Sequence, residues 1–435
     1  SNYTEMVGAL CPGLREKSGT LHSSRVPSLE HVVILGEGGL PGAIPFDSLY
    51  QEGERDEVTG SWEDPVNIQF TSGTTGRPKA TTLTHKSMLN NGYFLGLTMR
   101  YTADDVVCVP VPLFHSFGCS MGNMPMVALG CTLVYPGSRF DPLLTLRALA
   151  ERRCTSLLGV PTMFIAILDH PEFPKYKFEA MRTGAMGGAL CPVDTMNRVI
   201  SEMGAREVTV CFGMTELSGT AWQTRIGTPI ELTCSTVGQI HPHLECKVVD
   251  PQTFEVLPFD TPGELWIAGY SVMQGYWGNE EATNHAILER DGKKWMRTGD
   301  LAVISESGFG RITGRIKDMI IRGGENIFPK EVEEPLISHP DVSNASVIGV
   351  PDRRLGEQVC AWIAWKGGAP SGDKAVEAEQ QIRAFLKDKV AYFKVPKYIV
   401  FKDEFPLTTS GKVRKAEMRE ISTRELGLGQ LQSRL

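Results

Sequence analysis

Between residues 105 and 211, short apolar runs typical of buried strands alternate with a helical pattern, and this alternation restricts the fold more than any other feature of the chain. Strands separated by helices are typical of a parallel sheet whose two faces are covered. We therefore predict an α/β fold with a large domain built on a parallel α/β sheet. The runs in question are strand candidates at 105–109, 156–160 and 208–211 and a helix candidate at 142–153.

Two further changes of pattern divide the chain. From about residue 235, short strands with frequent glycine and proline, such as 263–269, indicate a β-rich subdomain. After the segment 314–324, a compact pattern follows with helices at 329–338 and 375–389 and strands near 345–350 and 359–365. We predict a large domain at 1–316 and a small α+β domain at 317–435.

Charge and composition exclude several kinds of partner. A net charge of −7 over 435 residues argues against nucleic-acid binding, which requires concentrated positive charge. The 10 cysteines form no C-x-x-C pair, so we expect a reducing compartment and neither a disulfide framework nor a zinc site. Prolines and glycines interrupt the uncharged stretch after Asp105, so we expect no membrane span, and no signal peptide is visible.

A loop rich in hydroxyls and glycines follows an alternating strand pattern at 66–70. Its glycines allow backbone N–H groups to approach an anion, and its hydroxyls add donors, a combination that suits a polyphosphate. The spacing differs from a Walker A motif, which disfavours an ordinary P-loop NTPase. An ordinary surface loop is the alternative interpretation. The loop consists of Thr71, Ser72, Gly73, Thr74, Thr75, Gly76, Arg77, Pro78 and Lys79, and we predict that a helix at 83–91 follows it.

Several further motifs follow this loop along the chain, at 112–118, 187–189, 212–216, 263–277, 297–300, 314–318 and 406–412. With these motifs the chain resembles the adenylate-forming acyl-CoA synthetase superfamily, which includes fatty acyl-CoA ligases, coumarate-CoA ligases and beetle luciferases. The resemblance extends from about residue 60 to the end. It implies that a carboxylate attacks the α-phosphate of ATP to give an acyl-adenylate and pyrophosphate, and that CoA then takes the acyl group. The loop at 71–79 is part of the same resemblance.

The resemblance also implies roles for single residues in adenylation. Glu216 resembles the magnesium ligand, with Thr71 as a second, neutral contact. Lys412, on the small mobile domain, matches the lysine that bridges the carboxylate and the α-phosphate. Phe212 stands where the family usually has a tyrosine stacked on adenine, so stacking is retained and a hydroxyl is lost. Thr215, next to Glu216, is a further candidate catalytic residue. The other candidate residues around the nucleotide are Gly188, Ala189, Gly213, Asp300 for the ribose hydroxyls, and Arg315 for the nucleotide.

Other implied roles concern CoA and the acid. Lys317 matches the hinge between the domains, the Gly323–Gly324 face would meet the pantetheine tunnel, and Arg139 resembles a position that contacts a CoA phosphate. His115 and Phe117 fall where the family lines the acyl pocket, and His115 would orient the carboxylate or gate its entry. A histidine satisfied within the core is the alternative for His115. Trp222 and Met214 are further candidates for the pocket.

We therefore predict an ATP-dependent acyl-CoA ligase that uses ATP, Mg²⁺ and CoA and acts on a fatty or other hydrophobic acid. A luciferase-like oxidase, a stand-alone adenylation domain and a truncated, catalytically poor paralogue that only binds a partner are the alternatives. Family members carry a further N-terminal segment, so we expect this chain to begin inside the large domain. The final Ser433-Arg434-Leu435 is close to the S-K-L signal and predicts a peroxisomal location and an import receptor as a partner, with the cytoplasm as the alternative.

Overall fold

The computed structural model describes residues 3–11, 14, 23–35, 41–50, 59–71, 78–189, 191–408 and 413–428. The chain forms two compact units, residues 1–61 and 62–435. The first unit contains helix α1 (Tyr3–Leu10) and strands β1 (Val33–Ile34) and β2 (Ile44–Pro45), which pair in parallel. Its small core includes the buried Cys11 and Leu14.

The second unit begins with an antiparallel pair, β3 (Pro65–Thr71) and β4 (Lys79–Thr84). Helix α2 (His85–Thr98) follows at once, capped by the Thr84 hydroxyl, which accepts a hydrogen bond from Ser87 N. The prediction of a helix at 83–91 is therefore wrong at its start, because Leu83 and Thr84 pair with β3. Residues 72–77 connect two antiparallel strands rather than a strand and a helix, and they lie outside the described residues.

A seven-stranded sheet forms the centre of the second unit, in the order β11-β10-β9-β8-β7-β5-β6. Strands β5 to β9 are parallel, which confirms the predicted parallel α/β sheet, while β10 and β11 add an antiparallel edge that the sequence did not predict. The strands are β5 (Val106–Cys108), β6 (Thr132–Val134), β7 (Ser156–Gly159), β8 (Thr183–Gly187), β9 (Glu207–Phe212), β10 (Trp222–Gln223) and β11 (Gln239–Ile240). The helices are α3 (Met124–Leu129), α4 (Pro142–Glu151), α5 (Pro161–Leu168), α6 (Val193–Met203) and α7 (Ile230–Ser235).

Both faces of this sheet are covered by apolar clusters. Leu157 packs with Leu149 and Ile167 of α4 and α5, whereas its neighbour Leu158 packs with Leu95 of α2. Successive strand residues point to opposite faces, so a strand covered on both faces is apolar throughout. This explains the continuous apolar runs in the sequence.

An antiparallel β-rich region follows, as predicted, with the strand order β12-β13-β16-β15 and β17 paired to β16. Strand β14 does not belong to this sheet, because it pairs with β4. The elements are β12 (Leu244–Val249), β13 (Gly263–Gly269), β14 (Gly275–Tyr276), α8 (Glu280–Ala286), β15 (Ile287–Arg290), β16 (Lys293–Ile304) and β17 (Gly310–Arg315).

The C-terminal part is a smaller α+β arrangement, which agrees with the prediction. Its sheet has the order β19-β18-β21-β20, and β22 runs parallel to β21. The predicted boundary near residue 316 stays a prediction. No helix in the described part of the chain is long and apolar enough to span a membrane. The elements are β18 (Ile320–Arg322), β19 (Glu325–Ile327), α9 (Pro329–Ile337), β20 (Val342–Asp352), β21 (Gly356–Trp365), α10 (Asp373–Leu386), β22 (Tyr398–Phe401) and α11 (Lys415–Glu425).

Candidate active site

Three of the predicted motifs lie at one edge of the parallel sheet. Segments 112–118, 187–189 and 212–216 follow β5, β8 and β9, whose carboxyl ends meet at this edge. In the order β6-β5-β7-β8-β9, strand β6 lies on one side of β5, and β7, β8 and β9 lie on the other side. The order of the strands along the chain therefore reverses at β5. In open α/β sheets, ligands bind outside the carboxyl ends at such a switch point. This edge is therefore the candidate site.

The segment after β5 turns tightly before a short π-helical stretch, Phe117–Asn123. A Cβ atom at Gly118 would lie 2.3 Å from the Pro112 carbonyl oxygen, so this turn requires glycine. His115 is half-buried, and its Nδ1 accepts a hydrogen bond from Phe117 N at 3.1 Å. Phe117 packs in the core with Met121. The structure thus fixes the His115 ring at this edge, and its role toward an acid stays a prediction.

The segments after β8 and β9 each contain a glycine at a position where a side chain would be strained. A Cβ atom at Gly213 would lie 2.2 Å from the Gly219 carbonyl oxygen, and Gly188 has a φ of +82°. Phe212 is half-buried at the end of β9, while Gly188 and Ala189 are exposed. A flat ring beside an open backbone surface suits the predicted adenine position.

Glu216 lies on a single 3₁₀ turn, Thr215–Leu217, directly after this segment. It is 8% exposed, and its Oε1 accepts a hydrogen bond from the Tyr276 hydroxyl at 2.9 Å. Burial, together with the nearby Glu216 charge, raises the pKa of Tyr276 well above its ordinary value, so the phenol stays protonated and donates. The buried carboxylate therefore has a fixed orientation.

The same tyrosine connects this turn to the strand pair around the predicted phosphate loop. Lys79 Nζ lies 4.9 Å from the centre of the Tyr276 ring, within the range of a cation–π interaction. Lys79 is the cross-strand partner of Thr71, and Tyr276 is the partner of Thr81 in β4. Lys79, Glu216 and Tyr276 thus meet here, and Thr71 lies opposite Lys79 on the neighbouring strand.

Sequence reasoning missed Tyr276. The residue lies inside the recognised segment 263–277, and that position is the signal that could have pointed to it. Its contact with Glu216 spans 60 residues of sequence. Without the fold, a tyrosine next to Gly275 in a two-residue strand carries no sign of such a contact.

Asp300 and Arg315, which were predicted to bind the nucleotide, face each other on neighbouring strands. They are cross-strand partners in β16 and β17, and Arg315 Nε donates to Asp300 Oδ1 at 2.7 Å. The Asp300 side chain is 2% exposed and that of Arg315 is 44% exposed. The Asp300 charge raises the pKa of Arg315 above its ordinary value. A buried carboxylate is thus held beside a guanidinium that reaches solvent.

The residues present fit a magnesium ion. Among the described residues, no group of three or more histidine, cysteine or acidic side chains could hold a metal alone. Mg²⁺ does not require one, because it keeps several waters and binds through one or two carboxylates plus substrate phosphates. A buried carboxylate at Glu216 and a hydroxyl at Thr71, beside a predicted phosphate loop, are hard oxygen donors of the right kind.

The remaining predicted residues lie elsewhere or outside the described part of the chain. Arg139 is exposed between β6 and α4, and Lys317 is exposed on the turn after β17. Gly323 and Gly324, with φ of +60° and +89°, form the turn between β18 and β19. Their roles toward CoA stay predictions. Ser72, Gly73, Thr74, Thr75, Gly76, Lys412 and Ser433-Arg434-Leu435 lie outside the described residues.

The two further candidates for the acyl pocket pack in the interior. Trp222 is 1% exposed, and a Cβ atom at Gly310 would lie 2.6 Å from its ring. Met214 is partly buried against the same cluster. Trp222, in β10, is therefore a core residue that packs against β17. A role in acid selection stays a prediction.

Two family models and several known proteins match this chain. The family model described as AMP-binding enzyme matches residues 14–277, and the one described as AMP-binding enzyme C-terminal domain matches residues 331–412. The chain is 42% identical over 429 residues to the putative acyl-CoA synthetase YngI of Bacillus subtilis, covering 97% of this chain and 76% of that protein. It is 40% identical over 441 residues to the mitochondrial medium-chain acyl-CoA ligase ACSF2 of Danio rerio, covering 98% and 71%.

Solved structures show the same likeness. ATP-bound MatB from Rhodopseudomonas palustris aligns with a TM-score of 0.74 at 32% identity, covering 84% of this chain and 69% of that one. The anthranilate CoA ligase AuaEII in complex with anthranoyl-AMP aligns with a TM-score of 0.82 at 24% identity, covering 93% and 76%, and shows a likeness of fold alone. These findings confirm the resemblance and the fold class, while the roles of single residues stay predictions.

Proposed function

The chain belongs to the family of AMP-binding enzymes, and we propose that it is an AMP-forming acyl-CoA ligase for a fatty or other hydrophobic carboxylic acid. The likeness of almost the whole chain to acyl-CoA synthetases and ligases carries this proposal. The geometry at the sheet edge supports it, because the buried Glu216 carboxylate and the Lys79 ammonium both contact Tyr276 there.

In the proposed reaction, a carboxylate oxygen of the acid bonds to the α-phosphorus of ATP, and the bond to pyrophosphate breaks. The sulfur of CoA then bonds to the acyl carbon, and AMP leaves with the bonding electron pair. The first step, adenylation, needs cationic groups where negative charge develops on the phosphates. The protein would supply Lys79 near the loop and Lys412 from the small domain.

Glu216 and Thr71 would hold the magnesium ion, with Tyr276 orienting the carboxylate. When bound, the ion neutralises charge on the leaving phosphates. Asp300 would accept hydrogen bonds from the ribose hydroxyls, and Arg315 would keep its contact with Asp300 while its exposed part reaches the nucleotide. Phe212 would stack on the adenine. The contacts of Glu216 and Asp300 in this structure support these assignments.

Other adenylate-forming activities share the first step and differ in the acceptor. A luciferase-like oxidase would need oxygen, and a stand-alone adenylation domain would pass the acyl group to a pantetheinylated carrier protein. A catalytically poor paralogue would perform neither step. The peroxisomal location predicted from residues 433–435 stays part of this proposal, with the cytoplasm as the alternative.

Pyrophosphate release with ATP, Mg²⁺ and a panel of carboxylic acids tests the proposal. We expect release with a hydrophobic acid, followed by CoA-dependent formation of AMP. Lys412→Ala should slow adenylation by about a hundredfold or more, while transfer of a supplied acyl-adenylate to CoA survives. A folded chain that releases no pyrophosphate with any acid would refute the ligase function. Equal loss of both steps in Lys412→Ala would refute the role of that lysine.

A further inference from the structure

The segment 271–277 is joined to both sides of the candidate site. On one side, Met273 N donates to the Glu216 carbonyl oxygen at 2.9 Å. On the other side, β14 pairs with β4, and Trp277 N donates to the Ala80 carbonyl oxygen at 2.8 Å. The segment therefore has a fixed place between the turn after β9 and the strand that follows the predicted phosphate loop.

Tyr276 makes two different contacts from this fixed place. Its hydroxyl donates to Glu216 at 2.9 Å, and its ring faces Lys79 Nζ at 4.9 Å. Its backbone N donates to Thr283 Oγ1 at 2.9 Å, and Gly275 allows this approach because a Cβ there would lie 2.8 Å from Thr283 Cγ2. Tyr276 is only 8% exposed, so both contacts are shielded from water. The Tyr276 side chain thus contacts the Glu216 carboxylate through its hydroxyl and the Lys79 ammonium through its ring.

This arrangement matters because an ammonium and a carboxylate on opposite sides of one side chain attract each other more strongly where water is scarce. A direct ion pair would leave less of either charge for a ligand. The phenol is an uncharged donor, so it orients the carboxylate without neutralising it. The ring face likewise attracts the ammonium without removing its charge.

We propose that Tyr276 is a positioning residue for adenylation, which holds the Glu216 carboxylate toward the metal and the Lys79 ammonium toward the phosphates of the same ATP molecule. The inference rests on the proposed function, since it assumes that ATP and a divalent cation bind at this edge. It adds that one tyrosine positions both charged groups. Removing its hydroxyl should affect only Glu216, and removing its ring should also affect Lys79.

The first experiment measures metal binding without any acid. Mn²⁺ binding to the full chain with ATP is followed by the electron paramagnetic resonance signal of the free ion. Tyr276→Phe should weaken Mn²⁺ binding about tenfold, because a hydrogen bond that orients a charged ligand is lost. Tyr270→Phe is the matched control, since its buried hydroxyl has no hydrogen-bond partner among the described residues, and it should bind like the wild type. An unchanged dissociation constant in Tyr276→Phe would overturn the inference.

The second experiment separates positioning from a merely structural role. In pyrophosphate release, Tyr276→Phe should raise the Mg²⁺ concentration for half-maximal rate about tenfold and leave the rate at saturating Mg²⁺ nearly unchanged. In a Glu216→Gln background, Tyr276→Phe should have little further effect on Mn²⁺ binding, because both changes act through the same carboxylate. Fully additive effects, or a lower rate at saturating Mg²⁺ with an unchanged half-saturation, would contradict positioning.

The third experiment tests the ring. Without metal, ATP should bind Tyr276→Phe as it binds the wild type, whereas Tyr276→Leu should bind several-fold more weakly because Lys79 loses the ring. Equal ATP affinity of all three proteins would refute the role toward Lys79. If no acid gives pyrophosphate, the proposed function fails, but both binding measurements still decide the role of Tyr276. A wild type that binds no Mn²⁺ with ATP would refute the inference itself.

Discussion

Replacing Arg315 by methionine would remove the guanidinium that hydrogen-bonds the buried Asp300 carboxylate. The two groups are 2.7 Å apart, and the Asp300 side chain is 2% exposed. Breaking a fully buried ion pair costs about 3–5 kcal/mol. The Arg315 side chain is 44% exposed, so solvent screens part of the interaction and reduces the expected cost to about 1–2 kcal/mol.

Denaturant unfolding of Arg315→Met, Asp300→Asn and the double variant measures this pair as a double-mutant cycle. We expect a coupling free energy of about 1 kcal/mol. Arg315→Lys is the control that keeps the charge, and it should recover part of the lost free energy of unfolding but not the fixed geometry of the guanidinium. Effects that add to within about 0.3 kcal/mol would show that the Arg315–Asp300 pair contributes nothing to the free energy of unfolding.

Two further predictions concern burial at other positions. Burial, with a smaller effect of Arg225, lowers the pKa of His241 from 6.5 to about 3. Its neutral form therefore contributes fully to stability above pH 6.5, and this contribution is lost as the pH falls toward 3. In His241→Gln, the free energy of unfolding should fall less steeply over this pH range. A pH profile identical to that of the wild type would contradict this. Gly213→Ala should cost about 1–3 kcal/mol of stability and weaken ATP binding, because its Cβ would lie 2.2 Å from a backbone oxygen. Gly137→Ala is its control, since its Cβ would first meet a flexible leucine tip at 3.2 Å, and equal stability of the two variants would refute the clash.

The parallel sheet could be predicted because both of its faces are buried. Strands such as β7, with Leu157 and Leu158 in different clusters, leave a continuous apolar run that sequence patterns detect. Strand β4 could not be predicted in this way. Its residues Ala80, Thr81 and Thr82 show no apolar alternation, and the strand exists because β3 and the distant β14 pair with it.

The sequence predicted the candidate residues one by one, but it did not predict the contacts between them. Glu216, Asp300, Arg315 and Lys79 stand in recognisable motifs. The sequence did not indicate that Asp300 pairs with Arg315, since that depends on the register of β16 and β17. It also did not indicate that Tyr276 reaches Glu216. Such contacts depend on how distant strands meet, which local patterns do not encode.

Transfer of an isotope label shows whether a carboxylate oxygen of the acid attacks the α-phosphorus of ATP. The acid is labelled with ¹⁸O in its carboxylate and incubated with the protein, ATP, Mg²⁺ and CoA, and the products are analysed by mass spectrometry. AMP should carry one ¹⁸O atom in its phosphate, and the thioester should keep the other. Formation of ADP, or of AMP without label, would contradict an acyl-adenylate intermediate.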